Sequence, residues 1–128
     1  MADILVVDDD DNMRSLMKTI LERRGHRVSE AHDGLEALAR FEEKQPELVI
    51  TDIVMPGVGG ITLLNELRRR ASPPKVLLVS GRSNPPEADW AIPASQGLVG
   101  FIPKPFTPAE LMRAVEALLG LQEEARAS

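Results

Sequence analysis

The chain contains no cysteine. That excludes disulfides and thiolate chemistry, and it fits a reducing compartment. No apolar run approaches the roughly 20 residues of a membrane-spanning helix. The N-terminus, MADILVV, has no basic stretch ahead of its apolar residues and does not read as a signal peptide. Positive charge is scarce as well. Fifteen Lys and Arg against 20 Asp and Glu leave a net charge of −5, which opposes general attraction to nucleic acid. The local run Arg68-Arg69-Arg70 is either a contact patch or a solvated helix end that favours the helix dipole. Only two histidines occur, His26 and His32, one on each side of the second strand-like run, and nothing has the look of a zinc site. The expectation is a cytoplasmic protein with no direct nucleic acid binding and no membrane insertion.

What is present is a regular alternation. The 128 residues suit one domain with one core. Ile4–Val7 is a short apolar run, and Met13, Leu16, Met17, Ile20 and Leu21 then fall on one helix face closed by Gly25. Arg27–Ala31 reads as a weak second strand. Asp33-Gly34-Leu35-Glu36 has the capping-box pattern, followed by Leu35, Leu38 and Phe41 as an expected buried stripe. Leu48–Thr51 is a third strand, Ile61, Leu64 and Leu67 mark a helix, and Val76–Val79 and Val99–Ile102 are strands four and five. Thr107-Pro108-Ala109-Glu110 joins a second capping box to proline at the first helical position, ahead of Leu111, Val115, Leu118 and Leu119. Five βα units with continuous apolar strands predict a parallel sheet covered on both faces, a three-layer doubly wound α/β sandwich. Residues 81–97, GRSNPPEADWAIPASQG, break the pattern with three prolines. Pro93 predicts a short or irregular fourth helix there. Residues 1–121 are expected to form the domain, and 122–128 a polar tail with no output domain attached.

In an open parallel sheet the reactive positions lie beyond the carboxyl ends of the strands. Asp8 and Asp9 follow the first strand, Asp52 the third, Ser80 the fourth and Lys104 the fifth. Taken alone, Asp52 would serve as an ordinary turn cap and Ser80 as a loop hydroxyl. Together they put three carboxylates close enough to resist joint ionisation. A divalent cation relieves that repulsion, and few acids with open water positions suit Mg²⁺. Lys104 and Ser80 add a cation and a donor. The set fits a transferring phosphoryl group attacked by a carboxylate oxygen.

VVDDDDNMR, LVITDIVMPGVGG, LLVSG and GFIPKPF, in that order and over essentially the whole chain, resemble the receiver domains of two-component response regulators. The resemblance implies a flavodoxin-like fold with strand order 2-1-3-4-5 and a phosphorylation-controlled switch that acts by binding a partner. It makes Asp52 the phosphoacceptor, supplied by a histidine kinase or phosphotransfer protein, with an unknown downstream protein as target. Any self-catalysed phosphorylation or dephosphorylation is expected to be weak. Mg²⁺ is implied at Asp9, Asp52 and the Val54 backbone carbonyl, with Asp8 acting partly through water. Ser80 takes the Ser/Thr switch position, and Phe101 that of an aromatic that swings inward. Lys104 pairs with the phosphoryl group, and its bond to Pro105 is expected to be cis. Val54 and Arg82 occupy two positions that influence phosphoryl lifetime in this family. Gly59 departs from the usual aspartate in its turn.

Two other classes stay open on sequence alone. The acidic start faintly resembles haloacid-dehalogenase-type phosphatases, although their later acidic motifs are missing. A phosphorylation-independent interaction module is kept alive by the altered 84–93 segment.

Overall fold

The computed structural model describes residues 2–55, 57–81 and 99–127, with side chains through 120. Among the described residues nine elements follow in order: β1 (Asp3–Val7), α1 (Asp11–Arg23), β2 (Arg27–Ala31), α2 (Gly34–Lys44), β3 (Leu48–Asp52), α3 (Gly60–Arg68), β4 (Lys75–Ser80), β5 (Val99–Pro103) and α4 (Pro108–Ala127). The strands form one sheet in the order β2-β1-β3-β4-β5, with every neighbouring pair parallel. The expected helix within 84–93, Trp90 and Arg82 lie outside the described residues, as does Pro56.

Alternation along the strands divides the core into two faces. Ile4, Val6, Leu48, Ile50, Leu77 and Val79 meet α1 and α4 through Met17, Leu21, Leu111 and Val115. Leu5, Val7, Val49, Val76 and Leu78 meet α2 and α3 through Ala37, Phe41, Leu63 and Leu67. The three-layer sandwich is therefore as the alternating pattern predicts.

Local chemistry sets the element ends. Asp10 caps α1, its side chain accepting from the Asn12 and Met13 amides, and Gly25 leaves the helix at a φ of 87°. At α4 the capping box is complete. The Thr107 amide donates to Glu110 at 2.9 Å and the Glu110 amide donates to Thr107 Oγ1 at 3.1 Å. At α2 it is shifted. Asp33 accepts from the Glu36 amide at 2.8 Å, but Glu36 accepts from the amide of His32 rather than that of Asp33. The basic run closes α3. Arg69 is its C-cap, Arg69 pairs with Glu66 at 3.7 Å, and Arg70 reaches Glu42 at 2.8 Å.

Two expectations require correction. Leu35 is 68% exposed and Leu16 is exposed too. Each sits at the margin of its helical stripe, and on α2 the small Ala37 takes the buried position facing the sheet. The backbone of α4 runs as helix through Ala127. Gln, Glu, Ala and Arg are good helix formers and no proline interrupts them.

Candidate functional site

The carboxyl ends of the strands bring the singled-out residues together. The Asp8 amide still bonds to the Ala31 carbonyl at 3.2 Å, so Asp8 continues the line of β1 and its side chain is fully buried. One carboxylate oxygen accepts from the Asp10 amide at 2.9 Å, and the other accepts from Lys104 Nζ at 3.1 Å. Burial pushes the Asp8 carboxyl above its ordinary 3.8, and the charge of Asp52 adds to that; the Asp10 amide and Lys104 pull the other way without cancelling it. Asp9 is exposed.

Asp52 is the last residue of β3, in register with Val79 of β4, one place further into the sheet than the sequence suggested. Lys104 Nζ donates to it at 3.1 Å, so a single ammonium bridges Asp8 and Asp52. Burial works to lower the Lys104 pKa, but its hydrogen bonds to Asp52 and Asp8 outweigh this and hold it above the ordinary value. The Lys104 amide bonds to the Ser80 carbonyl at 2.6 Å, and the Lys104–Pro105 peptide is cis. Ser80 ends β4 and is buried, while Phe101 on β5 is half-buried against the core on the α2 and α3 face. The Val54 amide approaches an Asp52 carboxylate oxygen at 3.4 Å, and the Val54 side chain is 64% exposed beside the site.

Asp8, Asp9 and Asp52 each offer an oxygen, all within 4.8 Å of one another, the one such cluster among the described residues. All-oxygen donors with net negative charge fit a hard divalent cation of the Mg²⁺ type. A groove of about 510 Å³ lined by Leu64, Arg68, Pro73 and Val99 lies at the opposite ends of β4 and β5 and takes no part in this chemistry.

Two residues that shape the site were not singled out in the sequence. Gly60 opens α3, its amide bonding to the Ile53 carbonyl at 2.9 Å. A Cβ there would overlap the Asp52 carbonyl oxygen. The signal for it is the Gly59-Gly60 pair itself. Arg14 lies one turn into α1 and reaches back to the end of β1. It donates to the Asp8 carbonyl at 2.7 Å, to Asp11 at 2.6 Å and to Glu30 at 3.3 Å. Burial works to lower its pKa, and Asp11 and Glu30 more than offset that.

This arrangement has known counterparts. Residues 4–116 match the family model described as response regulator receiver domain. The chain belongs to that family. The receiver is 37% identical over 119 residues to the transcriptional regulatory protein CpxR of Klebsiella pneumoniae, covering 93% of this chain and 50% of that protein. It is 34% identical to the alkaline phosphatase synthesis transcriptional regulatory protein PhoP of Bacillus subtilis, covering 98% and 51%. It thus spans about half the length of these curated relatives. Among solved structures, the chemotaxis protein CheY4 of Vibrio cholerae superposes with a TM-score of 0.81 at 27% identity, covering 92% of the receiver and 98% of that chain. NtrX of Brucella abortus gives 0.83 at 33% identity, covering 98% and 29%. The receiver is therefore a regulatory domain of two-component signalling, and the phosphatase reading falls. No helix among the described residues is long and apolar enough to cross a membrane.

Proposed function

We propose that this receiver is a phosphorylation-controlled switch in which Asp52 takes its phosphoryl group from the phosphohistidine of a histidine kinase or phosphotransfer protein. An Asp52 carboxylate oxygen bonds to phosphorus as the P–N bond breaks. The imidazole departs with the bonding electrons, and an acyl phosphate remains on Asp52. The observation that carries this reading is the position of Asp52 itself, 3.1 Å from the ammonium of Lys104 and clustered with Asp8 and Asp9.

Asp9, Asp52 and the Val54 carbonyl would hold Mg²⁺, with Asp8 acting partly through water, and the bound ion would supply charge neutralisation for the phosphoryl oxygens. Lys104 holds the attacking carboxylate in place and then pairs with a phosphoryl oxygen. Ser80 offers its hydroxyl to another such oxygen, and Phe101 follows it inward. The phosphorylated state biases a pre-existing equilibrium, so a downstream protein or a further segment of a longer chain must bind one conformation better than the other.

Intact mass after incubation with Mg²⁺ and a small phosphodonor tests the assignment. The parent is expected to gain one phosphate. Asp52→Asn is expected to gain none, and chelating the metal abolishes the gain. A parent that takes up no phosphate from either a small donor or a phosphorylated kinase sinks the proposal.

A further inference from the structure

We infer that Arg14 is a positioning residue for the acid pair: by clamping the Asp8 carbonyl it fixes the peptide between Asp8 and Asp9, and with it the directions in which both carboxylates face. The inference rests on the reading of Asp8, Asp9 and Asp52 as a Mg²⁺ site.

The geometry separates this role from that of a surface ion pair. The Arg14 side chain is only 16% exposed, whereas that of its helical neighbour Asp11 is 85% exposed. Its shortest contact to a neighbouring element is not to a carboxylate but to the Asp8 main chain, at 2.7 Å. The two carboxylate contacts hold the guanidinium through Nη2, to Asp11 on its own helix, and Nε, to Glu30 on β2, leaving Nη1 for the Asp8 carbonyl. Lys18 also reaches Glu30, at 3.4 Å, and helps to keep that carboxylate in place. Arg14 is thus oriented by α1 and β2 and delivers one donor to the loop that carries the acids. The Asp8 side chain is tied down independently, by the Asp10 amide and Lys104. Without Arg14, the Asp8 carbonyl loses its guanidinium, and the Asp8–Asp9 peptide loses the bond that sets its tilt. Asp9, whose side chain is exposed rather than tied into the site as that of Asp8 is, depends most on that tilt. A planar guanidinium suits the task because it serves several acceptors at once in fixed directions.

Electrostatics gives the test its sign. Removing a cation near an acidic site should, by Coulomb's law alone, tighten binding of a second cation. Loss of positioning should weaken it, because groups that orient metal ligands typically contribute 10- to 100-fold in affinity. The experiment is calorimetric titration of the full chain with Mg²⁺ alone, on the parent, Arg14→Met, Arg14→Lys and Arg27→Met. Arg27 pairs with Asp3 at the far end of the sheet and controls for the lost charge. Folding of each variant is checked by its urea midpoint. Arg14→Met is expected to bind about tenfold more weakly. Arg14→Lys, which keeps the charge and one donor, should fall between it and the parent, and Arg27→Met should match the parent. Binding by Arg14→Met as tight as in the parent, or tighter, overturns the inference while leaving the Mg²⁺ site intact. If Arg14→Met does not fold, Arg14→Lys decides: a several-fold loss supports the role and parental affinity refutes it. A parent that binds no Mg²⁺ overturns both this inference and the reading beneath it.

Discussion

Replacing Lys104 by methionine removes the one ammonium that bridges Asp8 and Asp52. Methionine roughly matches the length of the stem and keeps its apolar packing. Asp8, with no side-chain exposure, is then left ionised beside a second carboxylate. Breaking a buried pair in this way typically costs about 3–5 kcal/mol. The receiver has an escape, because Asp8 can take up a proton. Its ordinary pKa is 3.8, so holding a proton at neutral pH costs about 4 kcal/mol, at about 1.4 kcal/mol per pH unit. That figure is a ceiling on the damage. Near pH 5 the same ceiling drops to less than about 2 kcal/mol. The sign follows from proton counting. In the variant, folded Asp8 binds a proton that unfolded Asp8 does not, so stability falls as pH rises. Lys104 itself, raised above its ordinary value by its partners, stays charged throughout this window and adds no slope in the parent. Urea unfolding of parent and variant in chelator, at about pH 5 and at neutral pH, measures the difference directly. The variant should lose stability at neutral pH and recover most of it in acid. A loss of equal size at both values would refute the account, because it would mean that Asp8 neither feels its burial nor titrates to relieve it.

Further outcomes concern the loop and helix around Asp52. Val54→Asn places an amide where an exposed apolar side chain now stands beside Asp52; on the proposed function, phosphoryl loss, followed by intact mass over time, should run faster than in the parent, and an unchanged or slower decay counts against it. Gly60→Ala forces a methyl group onto the Asp52 carbonyl; overpacking of this kind typically costs about 1–3 kcal/mol, and both the urea midpoint and the rate of phosphate uptake should fall together. A Gly60→Ala variant with parental values of both would show that α3 does not brace the end of β3.

Much of this was legible in the chain. Continuous apolar strands predicted the sheet, and polar residues at their ends predicted which side chains would meet, since a parallel sheet sends every strand end to one rim. Side chains at stripe margins were harder to read. Leu35 obeys helical spacing yet faces outward, because the buried face of α2 runs through Gly34, Ala37 and Phe41, and each residue along a helix turns the facing direction by about 100°. Glu36 capping the His32 amide, one residue earlier than the pattern predicts, depends on how the chain enters the helix rather than on residue type. Arg14 and Gly60 were passed over for a related reason. One acts through a carbonyl and the other through the absence of a side chain, and neither announces itself as chemistry.

The bridge from Lys104 also spans the chain. Its partners lie 96 and 52 residues away in sequence. Contacts of such separation form only after the intervening loops close, which makes them late events in folding. A ribosome delivers all three acids well before it delivers their lysine. A nascent or truncated chain ending short of β5 therefore carries Asp8 and Asp52 without the ammonium that bridges them. On the proposed function, competence to receive a phosphoryl group arrives with the last strand.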